Sequence, residues 1–290
     1  MYNKNMKQLL ILLIFIIIST GCSSRDGDTL NKKHALLTTA ISRQIDGNRV
    51  VIKNRQVWLD GKKIGCLDSD DGGYINSLKI LPDGSNLYKV TDLNNGWLFV
   101  SGGDKHKPGG DFGIESKKTF FWDKAKKKFI NGPDMTCQRS GYEVTPLPDN
   151  KWLITGGAPM VVKRTKTEEY ATSPMSVDIL DLKTKTITQG GSLLVDRVAH
   201  SVLSLDKKRV LIAGGHTFGG KTPNGMESKS VELYNLDTHT SKEIGELCRA
   251  RQAGTLIRLN ENEVLLVGGY NSDSEEDDHN LPPEIIKLPN

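Results

Sequence analysis

Arg139, Arg197 and Arg251 each stand 17 residues ahead of a double glycine, at Gly156-Gly157, Gly214-Gly215 and Gly268-Gly269. A guanidinium is a permanently charged planar fork of donors whose geometry matches a carboxylate or a phosphate. One residue type at one offset, three times over, sets the same fork at three equivalent places, and recognition of an acidic group is a chemistry it could do. A structural bond from each arginine to the backbone of a neighbouring unit is the other use of the same fork. Tyr142, His200 and His216 add a phenol and two imidazoles to this candidate ligand-binding set.

Other chemistries find less support. The six histidines include no His-x-x-x-His pair, and no Gly-x-Ser-x-Gly elbow occurs, so neither a zinc-hydrolase helix nor a serine nucleophile is expected. The run "DSEEDDH" at 273–279 gathers carboxylates but lacks the glycine and spacing of a calcium loop; it reads as a solvated charge run. No catalytic residue, metal or cofactor is assigned.

The elements that must hold these residues are set by a repeat. "WLFVSGG", "KWLITGG", "RVLIAGG" and "EVLLVGG" each end an apolar strand pattern in two glycines, and Gly102, Gly156, Gly214 and Gly268 are 54, 58 and 54 residues apart. Such a period marks solenoids, propellers or arrays. Nine residues before the glycines stand Leu93, Leu147, Leu205 and Leu259, and the offset of 17 carries arginine in three units and Ser85 in the first. Each unit has two strand patterns around a polar turn, as in "AHSVLSL-DKK-RVLIAGG", and a second pair downstream, as in "VELYNL-DTHTSKEI". Each unit is therefore expected to form a four-stranded antiparallel sheet. Such a sheet cannot bury its own faces, so sheets packed radially as a β-propeller are expected. The double glycine would allow close backbone approach and a positive φ.

On these residues the chain resembles the kelch repeat family. Its second element, an aromatic or aliphatic residue followed by Asp or Asn, appears as Trp122-Asp123, Leu180-Asp181 and Tyr234-Asn235. The tryptophan of the family's fourth strand is replaced by Phe129 and Ile187. The resemblance implies an all-β fold, a propeller of four-stranded blades. Five blades are expected over 49–290, with four, or an incomplete ring, as alternatives. "RVVIKNRQVWLDGKKIGCL" at 49–67, with an Asp60-Gly61 hairpin, would complete or adjoin the last blade. The resemblance further implies that the arginines form an acidic-ligand mouth, as in kelch adaptors. It also leaves open a carbohydrate-active enzyme of the sialic-acid mutarotase type, with Arg197, Tyr142, His200 and His216 as site candidates.

The N-terminus reads as a targeting segment. Lys4 and Lys7 precede "LLILLIFIII", too short to span a bilayer, which takes about 20 apolar residues, but suited to a secretory signal. "STGC" ending at Cys22 resembles a bacterial lipobox. The expected organisation is a signal peptide at 1–21, lipidated Cys22 with a tether at 22–48, and the propeller at 49–290. Removal of Lys4 and Lys7 leaves a formal +2 of the original +4, too little excess to imply nucleic acid. Cys66, Cys137 and Cys248 are an odd number for an oxidising compartment, so at least one free thiol or an intermolecular pair is expected. The expected function is extracytoplasmic binding of a protein or glycan through the propeller mouth. The expected location is the cell envelope: the outer membrane in a Gram-negative source, otherwise the outer face of the cell membrane.

Overall fold

The computed structural model describes residues 42–44, 49–53, 56–66, 89–102, 104–105, 114–157, 161–164, 169–172, 175–217, 226–271 and 281–289, all in one compact unit from Thr39 to Asn290. The expected signal segment and Cys22 lie outside the described residues. The fold is all-β, with strands β1 (Ser42–Gln44), β2 (Val50–Lys53), β3 (Gln56–Leu59), β4 (Lys62–Cys66), β5 (Lys89–Asp92), β6 (Trp97–Ser101), β7 (Asp104–Lys105), β8 (Ile114–Glu115), β9 (Thr119–Asp123) and β10 (Lys128–Asn131). The next two units supply β11 (Glu143–Leu147), β12 (Lys151–Thr155), β13 (Val161–Arg164), β14 (Glu169–Thr172), β15 (Ser176–Asp181), β16 (Thr186–Ser192), β17 (Ser201–Ser204), β18 (Arg209–Ala213), β19 (His216–Thr217), β20 (Met226–Glu227), β21 (Ser230–Asn235) and β22 (Thr240–Glu246). The last supplies β23 (Gln252–Arg258), β24 (Glu263–Tyr270) and β25 (Glu284–Lys287).

Strands pair as small antiparallel meanders: β5-β6-β9-β10, β11-β12-β15-β16, β17-β18-β21-β22 and β23-β24-β25-β1. The two middle meanders share one parallel bridge, Ser192 to Thr240. Strands β2-β3-β4 form a separate three-stranded sheet. The repeated leucine turns the first hairpin of each unit: Leu93, Leu205 and Leu259 donate their amides to the carbonyls of Trp97, Arg209 and Glu263 at 3.1, 2.9 and 3.0 Å.

The diglycine strands are apolar without alternation because both of their faces are buried. In β12, Trp152 and Ile154 pack toward Phe99 and Phe121, while Leu153 packs toward Val210 and Ile212. In β18, Leu211 and Ala213 take the opposite side, against Leu256, Val264 and Leu266. In β24, Leu265 and Val267 face Val57 of β3. Successive sheets thus share successive cores, and each fully buried Leu, Ile or Val contributes roughly 1.5–3 kcal/mol of apolar transfer. A single sheet would leave one such face wet.

One boundary differs from the sequence expectation. Of the two courses expected for residues 49–67, to complete or to adjoin the last sheet, the described residues take the second: β2–β4 form their own sheet and adjoin it through Val57. The strand that completes it is β1, inside the stretch expected to be tether, with Ser42 opposite Ile286 and Gln44 opposite Glu284. The folded body therefore begins by Ser42. Its sequence mirrors the preceding unit, Ser42-Arg43-Gln44 standing where β22 has Ser241-Lys242-Glu243, since Ser241 pairs with Tyr234 as Ser42 does with Ile286.

Candidate functional site

The three arginines are buried, at 0, 0 and 1% exposure, and each fork is occupied within its own sheet. Nη1 donates to the carbonyl of the first glycine 17 residues on: Arg139 to Gly156 at 3.0 Å, Arg197 to Gly214 at 2.6 Å and Arg251 to Gly268 at 2.9 Å. Nη2 faces a carboxylate of the third strand, Asp178 at 3.4 Å, Glu232 at 2.5 Å and Glu284 at 2.5 Å. Those carboxylates also accept from the segment that leads into the arginine. Thr136 N reaches Asp178 at 2.9 Å, Leu194 N and Val195 N reach Glu232 at 2.8 and 3.1 Å, and Cys248 N and Arg249 N reach Glu284 at 2.8 and 3.1 Å.

Such pairs survive burial only when hydrogen bonds satisfy the remaining charge; here the carboxylates are satisfied, while Nε of Arg139 and of Arg251 is buried without a hydrogen-bond partner among the described residues. Hydroxyls complete the set, Ser241 on Glu232 and Ser42 on Glu284 at 2.6 Å each. Burial pulls the Arg197 and Arg251 pKa values down, and the facing glutamates pull them back up. The structural use of the fork is the one these arginines make, in their own sheet rather than a neighbour's. A ligand in solvent does not reach them.

The first unit lacks the arginine and lacks its partner too. Asp178, Glu232 and Glu284 pair across the ladder with Ile154, Ile212 and Leu266; the same register in the first unit pairs Val100 with Phe120. Both lie in an apolar cluster with Val90 and Leu98. Cation and anion are replaced together, as expected of two halves of one lock.

The double glycine joins one sheet to the next. Gly156 has φ +65°, and a Cβ there would lie 2.3 Å from the Arg197 carbonyl oxygen; at Gly214, φ +64°, it would lie 2.4 Å from that of Arg251. The second glycine donates to the same carbonyl, Gly157 to Arg197 at 2.9 Å and Gly215 to Arg251 at 2.8 Å. Two residues without side chains are needed because the next unit's arginine backbone fills the space. At Gly268 no atom of the described residues occupies that place.

Tyr142 and His200, 1 and 3% exposed, repeat a second inter-sheet contact. Tyr142 Oη and Ser101 Oγ are 2.6 Å apart, and His200 Nε2 and Thr155 Oγ1 are 2.8 Å apart. In the next unit the polar residues disappear together, as Ala213 and Gly254. Burial first, and then the Arg197 charge, hold the His200 pKa well below its ordinary 6.5, so the imidazole is neutral. Beside them a backbone chain crosses the sheets: Ala199 N donates to Gly141 O at 3.1 Å and Ala253 N to Ala199 O at 2.7 Å.

His216 is the predicted residue that stays near solvent, its side chain 15% exposed. It opens β19, opposite Glu227 of β20, with Nδ1 3.9 Å from Glu227 Oε1. Gln252 Nε2 donates to the same Oε1 at 3.0 Å. Burial and then Glu227 raise the Tyr270 pKa, placing that phenol in the same field. Thr217 Oγ1 donates to Asp196 at 2.5 Å. The structure thus separates the sequence candidates: Arg139, Arg197, Arg251, Tyr142 and His200 are interior, and His216 joins Glu227, Gln252 and Tyr270 at the diglycine end. Glu227 and Gln252 escape a motif search because they come from different strands, β20 and β23; only the hairpin register of "HT" and "ME" brings His216 and Glu227 opposite each other.

Among the described residues no group of three or more His, Cys, Asp or Glu is arranged to hold a metal ion. Cys137 and Cys248 are free thiols. A cavity of about 460 Å³ lies on β2–β3, lined by Val51, Lys53, Gln56, Trp58 and Gly61, and includes none of the candidates. No family model matches the chain, and no curated protein matches it.

Proposed function

We propose that the protein is a lipid-anchored extracytoplasmic binding module: a kelch-like β-propeller of five blades that recognises a protein or glycan ligand with its diglycine end. Five consecutive sheets support the blade number, four with the same strand order and β2–β4 as the fifth. The shared sheet of β1 and β25 supports ring closure by the two ends of the fold. Anchoring rests on the "STGC" sequence at Cys22, and the envelope location follows from it: the outer membrane of a Gram-negative source, otherwise the outer face of the cell membrane.

The observation that carries the binding reading is the set of two-stranded hairpins β7–β8, β13–β14 and β19–β20. Each follows a diglycine, adds no strand to its blade, and has a sequence unlike the other two. Scaffold repeats while these loops diverge, which is the division of labour in rigid recognition proteins. Protein and glycan arrays probed with the chain from Cys22 onward test it. Binding is expected to fall when 218–225 is shortened or when His216, whose side chain reaches solvent, is changed to alanine, with the melting curve unchanged. A ligand unaffected by all of these changes, or no ligand on either array, overturns it.

A further inference from the structure

The end of the sheets opposite the double glycines carries a charge pattern that the fold does not need. Turns β9–β10, β15–β16 and β21–β22 begin with Asp123, Asp181 and Asn235, whose side chains accept amides two and three residues ahead at 2.8 to 3.3 Å. Asp206 does the same in the β17–β18 turn, from Lys208 and Arg209 at 2.8 and 2.9 Å. These three aspartates are spent on turn geometry. Lys127, Lys128, Lys183, Lys185 and Lys207 are exposed and have no carboxylate within ion-pair distance among the described residues.

Two of these lysines occupy positions that disfavour them. Lys127 and Lys185 have φ +51° and +55°, and His239 takes the third equivalent position at +55°. Such turn positions suit Gly or Asn, and another side chain there crowds the following carbonyl. The diglycine contacts between successive sheets hold their diglycine ends together, so the lysine-bearing hairpins gather at the other end.

We infer that this hairpin end is a docking face for an anionic lipid surface. Strand β1 is what selects a membrane over another polyanion. It runs antiparallel to β25, from opposite Ile286 to opposite Glu284, and Lys287 of β25 lies beside Glu263 at the hairpin end. The chain therefore reaches β1 from the lysine side. Ser42 is twenty positions after Cys22, a contour of at most about 70 Å, so an acylated Cys22 would hold this face near the bilayer. Each lysine close to an anionic leaflet adds about 1 kcal/mol, within a Debye length of about 8 Å. The inference rests on the proposed anchor for orientation and on the lysines for affinity, and the two are separable.

The test uses the chain from residue 22 with Cys22→Ser, which cannot be acylated, and sedimentation with vesicles. Phosphatidylglycerol and phosphatidylcholine in equal parts are compared with phosphatidylcholine alone. Binding is expected to the anionic vesicles only and to vanish in molar salt. Each of Lys127→Ala, Lys183→Ala, Lys185→Ala and Lys207→Ala should lower partition about fivefold, whereas Lys229→Ala, exposed beside the diglycine end, should leave it unchanged. Equal binding to neutral vesicles, no binding to either, an equal loss from Lys229→Ala, or capture by soluble polyphosphate with no vesicle binding would overturn the inference. Palmitate labelling of the unmodified chain in cells reports on Cys22 separately; vesicle binding without labelling removes the anchor and keeps the docking face.

Discussion

Arg197→Ala separates the two uses of the arginine fork. The side chain is fully buried and bonds to the carbonyls of Gly214 and Ser230, the Ser230 hydroxyl and Glu232. Its removal leaves the Glu232 carboxylate buried, with only Leu194 N, Val195 N and the Ser241 hydroxyl donating to it. Breaking a buried pair from one side costs about 3–5 kcal/mol, which for a unit of this size lowers Tm by roughly 6–20 °C.

Part of the loss is the charge left behind in the interior. Adding Glu232→Gln removes that charge while keeping an acceptor for the two amides, and should recover part of the loss. Urea titration of the single and double variants at pH 7 measures both effects. An Arg197→Ala protein within 1 kcal/mol of the parent, or one that keeps its stability and loses ligand, would return Arg197 to a binding surface and refute the lock.

Gly156→Ala and Gly268→Ala share nearly the same φ, +65° and +67°, but only the former drives a methyl into a carbonyl. Both should lose roughly 1–2 kcal/mol to backbone strain, and Gly156→Ala about 1–3 kcal/mol more to overpacking, as read by urea midpoints. Ala199 and Ala253 sit at φ +48° and +55°, so Ala199→Gly and Ala253→Gly are expected to be neutral or to stabilise by up to about 1 kcal/mol, against the usual direction. His200 has a folded pKa well below 6.5, so the unfolded chain takes up its proton first and stability falls as pH drops below about 6.5. Urea midpoints should therefore be lower at pH 5.5 than at pH 7.5, and His200→Gln should abolish that component.

Apolar runs, double glycines and the offset of 17 made the sheets legible in the sequence, because each is a local pattern that one strand must satisfy. The role of the arginines was not legible from spacing, which fixes where a fork begins and not where it points. The missing signal was Asp178 and Glu232, single charges inside the otherwise apolar third strands "SVDILD" and "SVELYN". A charge in a strand buried on both faces requires a partner of opposite sign, and the arginine is the residue that recurs with it. Strand β1 was hidden for a different reason. Three polar residues carry no periodicity, and their partner Glu284 is 242 residues away; only the match of Ser42-Arg43-Gln44 to Ser241-Lys242-Glu243 betrays them.

The repeat changes by interacting sets and not by single residues. Where the arginine is Ser85, the carboxylate is Phe120; where the inter-sheet imidazole is Gly254, the residue facing it is Ala213. After the last diglycine, no carbonyl of the described residues fills the place beside Gly268. Each loss is matched across a contact because half a lock leaves a buried group unsatisfied, at about 1–3 kcal/mol for a neutral one and more for a charge, while losing both halves does not. Physical coupling of this kind is tightest in the interior between sheets. Among the described residues none of these matched exchanges involves the exposed lysines at the opposite end, so there the sequence is free of that constraint.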